Sequence, residues 1–129
     1  MTASWTRHPV IAGITGVLAG ALVILLIEWL AQQGLGRADL AGPTPISDAK
    51  LAAVLLAWVL GAGTAALVAT GWQGGRTRVP GIVAAGVLMV GSVATLFALP
   101  HPAWMWAGAL LLMPAAAWLG TGRGMARGH

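Results

Sequence analysis

The sequence predicts an all-α fold, an integral membrane four-helix bundle with both termini in the cytoplasm. Three observations carry this expectation. Four apolar stretches of about twenty residues follow one another, each long enough to cross a bilayer as a single helix. Of the 129 residues, 58% are hydrophobic and only 8% charged, against about 25% charged in a soluble domain; the mean hydropathy is +0.85. The cations sit at the ends of the apolar stretches, most of them on one side of the expected membrane. No ten-residue alternation recurs, which argues against a membrane β-barrel. The chain has room for a single transmembrane domain, residues 1–129, and no separate soluble one.

The first span is expected over residues 9–30. Pro9 suits a first helical turn, where its missing N–H costs nothing. The apolar run exceeds a signal-peptide core and no small-x-small cleavage site follows it, so it reads as a retained helix. Ala12, Gly16, Gly20, Ile24 and Glu28 fall four apart, which places Glu28, the single charge in the span, on the face of a Gly16-xxx-Gly20 pair. Residues 32–47 carry Gly34, Gly36, Gly42, Pro43 and Pro45 and read as an outer loop. A short interfacial turn is expected around residues 35–40. Ser47 or Asp48 then caps the second span, expected over 49–72. There Ala53, Ala57, Gly61, Ala65 and Ala69 form a small-residue seam. Lipid supplies little hydrophobic drive between helices, so close approach at small residues holds them together. Gly16 and Gly20 are the natural partners of Ala57, Gly61 and Ala65.

A short turn with Arg76 and Arg78 leads to the third span, 80–99. Pro100-His101-Pro102 forces a reversal, because neither proline continues a helix. The fourth span is expected over 103–120 with Pro114 inside it, followed by a flexible tail at 121–129. Four spans put Arg7, Arg76, Arg78, Arg123 and Arg127 on one side and Arg37 and Lys50 on the other, which places the termini inside and the protein in an inner membrane as a multi-pass chain. Trp5, Trp72 and Trp118 then belong to the inner interface, and Trp29, Trp104 and Trp106 to the outer one. Trp58 fits neither belt and is expected to fill the bundle or face lipid.

One polar constellation stands out. Glu28, His101, Asp39, Asp48, Arg37 and Lys50 gather at the outer end, with Trp104 and Trp106 just below His101. Glu28, His101, Asp48 and Trp104 are the candidate ligand-binding residues. Three roles compete for Glu28: it fixes the outer end through His101, Lys50 or loop N–H groups; it lines an outward-facing pocket for a small molecule, lipid or proton; or it joins His101 and an Asp around a metal. No i,i+3 or i,i+4 pairing of these residues supports the metal role, and no metal or other cofactor is expected. The chain has no Cys, hence no disulfide or thiolate site. No nucleophile motif, phosphate-binding glycine loop or pair of in-membrane carboxylates occurs, so catalysis is not expected. The net charge of +4 and pI near 11.7 form no basic stripe, so nucleic acid is not an expected partner. The expected partner is the lipid bilayer; a transport path through so small a bundle calls for a homo-oligomer.

Glu28-Trp29 closing a glycine-rich first span, the stretch Leu56-Ala57-Trp58-Val59-Leu60-Gly61, the turn Pro100-His101-Pro102-Ala103-Trp104 and the run Pro114-Ala115-Ala116-Ala117-Trp118 together resemble a group of small bacterial four-span membrane proteins. The resemblance implies four spans and draws attention to Glu28 and His101; it implies no activity. The chain is also weakly similar to the small multidrug resistance transporters, four-span proteins in which a Glu of the first span couples protons to export by a dimer. Here Glu28 stands toward the helix end, no Tyr occurs, and the cation bias is strong. The reading preferred from the sequence is therefore a structural or ligand- and lipid-binding protein, with proton-coupled transport as the alternative.

Overall fold

The structure, a computed structural model, describes residues 7–35 and 47–127. Trp5, Arg37, Asp39, His129 and most of the expected outer loop lie outside the described residues. Four helices, α1 (Pro9–Leu35), α2 (Asp48–Trp72), α3 (Val79–Ala98) and α4 (Ala103–Arg127), form an all-α bundle. Each is long and apolar enough to cross a membrane. α2 packs against the other three helices, while α1 and α4 scarcely meet.

α2 takes the central place because its side chains are small. Ala57, Ala62, Ala65, Ala66 and Ala69 are almost wholly buried, so along this stretch its neighbours can come close. On one flank α1 comes close. A Cβ built on Gly16 would stand 2.6 Å from the Ala65 carbonyl oxygen and 2.7 Å from the Ala69 Cβ. One on Gly20 would stand 2.6 Å from the Gly61 carbonyl oxygen. Gly16 and Gly20 thus meet Gly61, Ala65 and Ala69 backbone to backbone; Ala57 lies buried one turn beyond. On the other flank α4 uses the same device. A Cβ on Gly124 would meet the Thr70 Cβ at 2.7 Å and the Leu67 carbonyl oxygen at 2.9 Å.

Large apolar side chains point the other way. Leu22, Leu25, Val90, Phe97, Leu111 and Leu119 are each more than 60% exposed. A soluble protein would bury these and cover its surface with charge. Inside, Met105 and Met113 fill the wider space between α2 and α4, as flexible thioethers do in irregular gaps.

Two helices are longer than expected. α1 continues through Gln32 to Leu35, where the sequence suggested a loop from residue 32. Glutamines are good helix formers, and the single Gly34 is accommodated within the helix. α4 continues to Arg127 in place of a flexible tail from 121. Thr121 is fully buried and Gly124 is packed on α2, so tertiary contact overrides the low helix propensity of Gly120, Gly122 and Gly124. Ser47 is the N-cap of α2, its hydroxyl accepting from the Lys50 N–H at 3.4 Å. α2 ends in a Schellman turn: the Gly75 N–H donates to Thr70 O at 3.0 Å and the Gly74 N–H to Gly71 O at 2.9 Å. Both glycines have positive φ, 80° and 67°. Thr15, Ser92 and Thr95 donate their hydroxyls to the carbonyls four residues back, which satisfies them within their own helices.

The contacts define two ends. At one, Arg78 ties the α2–α3 turn to α4. Its Nη1 donates to Trp118 O at 3.2 Å and to Thr121 Oγ1 at 3.1 Å, and the guanidinium lies 3.8 Å from the Trp118 ring centroid. A lysine cannot both stack and reach two acceptors. Arg78→Lys is therefore expected to lower stability by about 1 kcal/mol, read as a lower melting temperature in detergent. An unchanged melt would mean that the clamp contributes nothing. The other end holds Glu28, Lys50 and His101.

Candidate functional site

The site begins with helix ends that expose polar atoms to a shared space. Residues four apart on α1 carry the Gly16–Gly20 face up to Glu28 and on to Gln32. Because that face packs on α2, Glu28 is turned toward the start of α2 rather than outward. There Lys50, Leu51, Val54 and Trp58 follow one another along one face. α3 contributes Thr95 and Leu99. At Leu99 the helix stops in an extended conformation, φ −126° and ψ 145°, as the residue before a proline must. Pro100 and Pro102 then hold His101 over the opening, and Pro102 O accepts the Met105 N–H at 3.0 Å to start α4.

These residues line a cavity of about 360 Å³, with Glu28, Gln32, Lys50, Trp58, Thr95 and His101 as its polar or aromatic members. Trp58 is 4% exposed, and its indole N–H is the hydrogen-bonding group facing the Glu28 carboxylate. The His101 ring lies 6.4 Å from the Trp58 ring, tilted by 52°. His101 Nδ1 donates to Leu99 O at 2.7 Å. A carbonyl only accepts, so Nδ1 carries the proton of this contact. The lining therefore brings one carboxyl group, one amine, one imidazole and one indole together with apolar side chains.

Two of the four candidate ligand residues meet here and two do not. Glu28 and His101 line the same cavity. Asp48 lies outside its lining and is exposed in the first turn of α2, where a negative charge favours the helix N-terminus. Trp104 is 40% exposed and lies outside the lining as well. Trp106 packs edge-on against Phe97 at 4.8 Å. Lys50, part of the expected polar constellation though not a candidate ligand, joins Glu28 and His101, and Trp58 and Gln32 complete the site without having been singled out for it. The signal for Trp58 was present: it is the one tryptophan that the expected belts leave unplaced. Among the described residues no group of three His, Asp or Glu converges for a metal. Compared with protein-family models, curated proteins and solved structures, the chain finds no match.

Proposed function

We propose that this chain is a multi-pass protein of a bacterial inner membrane, with both termini in the cytoplasm, whose outward-facing cavity binds the zwitterionic head of a small amphiphile. The observation that carries this reading is the pairing of Glu28 and Lys50 in one lining. A simple cation or anion meets one like charge there; a molecule bearing both signs meets two complementary ones. An ammonium would lie against Glu28 and the aromatic faces of Trp58 and His101, an anionic group would reach Lys50, and an apolar body would rest on Leu51, Val54 and Leu99. The inverted core, alanines within and leucines without, supports lipid as the solvent. The arginine bias supports the orientation. Beneath the cavity Leu51, Trp58, Leu96 and Met105 form a buried layer, which favours binding over the alternative of a proton-coupled path through a homo-oligomer.

Because the chain has no Cys, a single introduced thiol reports its own side without background. With Gln32→Cys, an impermeant maleimide should label intact cells; with Arg123→Cys it should label only after lysis. The reverse pattern would overturn the orientation, and full recovery of the chain in the aqueous fraction without detergent would overturn the membrane reading. For the cavity, the purified chain in dodecylmaltoside should be raised in melting temperature by lysophosphatidylethanolamine more than by lysophosphatidic acid or dodecylamine. Equal responses to all three would remove the zwitterion from the proposal.

A further inference from the structure

A second cavity lies at the opposite end, and nothing in the Glu28 site involves it. α1 and α3 meet where Gly16 and Gly20 face Ala84 and Leu88, and beside that contact lies a groove of about 470 Å³. Its walls include Pro9, Gly13 and Val17 from α1 and Pro80, Val83 and Val87 from α3, and they are wholly apolar. The α1 wall extends from residue 9 to residue 18, about 13 Å of helix rise. The groove is thus narrow and linear, starting at one end of the bundle and running toward its middle.

The end at which it starts is the cationic one. Arg7 stands just before Pro9, and its Nη1 is 3.7 Å from where a Cβ on Gly74 would be, so the guanidinium reaches the α2–α3 turn. Arg76 is exposed in that turn, three residues before Val79 of the groove wall. Arg78 is engaged with Trp118 on the α4 side, which leaves Arg7 and Arg76 as the two exposed guanidiniums of the turn and the α1 start. A groove shaped for a hydrocarbon chain with two arginines near its mouth matches a lipid that carries negative charge.

We propose that the α1–α3 groove binds one acyl chain of an anionic phospholipid, with Arg7 and Arg76 holding its phosphate. This rests on the membrane reading above and is independent of the Glu28 cavity. Gly13 offers a clean way to close the groove. A Cβ there meets no atom within 4 Å, so a larger side chain can enter the space without moving a helix.

The test is native mass spectrometry of the full chain released from detergent with dioleoyl phosphatidylglycerol or dioleoyl phosphatidylcholine. The wild type should retain phosphatidylglycerol about tenfold over phosphatidylcholine. Arg7→Gln with Arg76→Gln should abolish the preference. Gly13→Phe should lose retention of both lipids, and Val83→Phe on the opposite wall should do the same should the first variant fold poorly. Equal retention of the two lipids by the wild type would overturn the proposal, as would a preference untouched by either groove-filling variant. So would a wild-type dimer that Gly13→Phe converts to monomer, because a second copy would then occupy the groove. A chain that needs no detergent would overturn this proposal together with the membrane reading. A detergent-dependent chain without lipid preference would overturn this one alone.

Discussion

Gly16→Ala should destabilise the bundle while Gly13→Ala, one helical turn away, should not. The two substitutions add the same methyl group to the same helix. At Gly16 it arrives 2.6 Å from a backbone oxygen of α2, 2.7 Å from the Ala69 Cβ and 3.2 Å from the Ala84 Cβ. None of these atoms is the far end of a flexible side chain, so the only relief is for α1 to move away from α2 and α3. Overpacking of this kind costs about 1–3 kcal/mol, and here the separation also weakens the neighbouring Gly20–Gly61 approach. At Gly13 the methyl meets open space, and replacing glycine by alanine inside a helix contributes about 0.5–1 kcal/mol in the favourable direction. In detergent, Gly16→Ala should melt several degrees below the wild type and Gly13→Ala at or above it. Two equal melts would show that the glycine face of α1 is not what joins it to α2.

This contrast also marks how far the sequence alone reaches. Spacing by four places Gly16, Gly20 and Glu28 on one face and Ala57, Gly61 and Ala65 on another, and those two faces pack together in the structure. The four apolar runs are the four helices, each long and apolar enough to cross a membrane, so run length and hydropathy sufficed to place them. Spacing does not reveal which glycines are packed, since Gly13, Gly86 and Gly91 share the composition of their neighbours yet meet nothing. The helix ends were less legible. Gly120, Gly122 and Gly124 predict fraying by local propensity, and the contact of Gly120 and Gly124 with Gly63, Ala66 and Thr70 of α2 keeps α4 helical there. In the site, Glu28 and His101 were visible as rare polar groups at one end of an apolar chain. Asp48 and Trp104 were drawn in by nearness in sequence. Trp58 was missed because a tryptophan two turns inside a span is as easily explained by packing, and its N–H has no sequence pattern to mark its partner.

Glu28→Gln should weaken binding of lysophosphatidylethanolamine about ten- to a hundredfold while leaving the melting temperature of the unliganded chain nearly unchanged. The two effects separate because the substitution keeps the shape. A glutamine side-chain oxygen can still accept from the Trp58 indole, so the contact between α1 and α2 at this level survives. What disappears is the charge, and a hydrogen bond to a charged partner contributes about 1.5–3 kcal/mol in a partly desolvated site. The loss should fall on ligands with an ammonium and spare lysophosphatidic acid, whose anionic head is held by Lys50 and which is relieved of a like charge. Lys50→Gln should show the converse selectivity, losing the phosphate-bearing ligands and sparing dodecylamine. A purely structural Glu28 predicts the opposite pattern, in which the melt falls and every titration is unaltered, because the carboxylate would then stabilise the cavity wall without touching its contents. The measurement that decides is the pair of readouts on one preparation: melting of the free chain, and the midpoint of ligand binding followed by calorimetric titration.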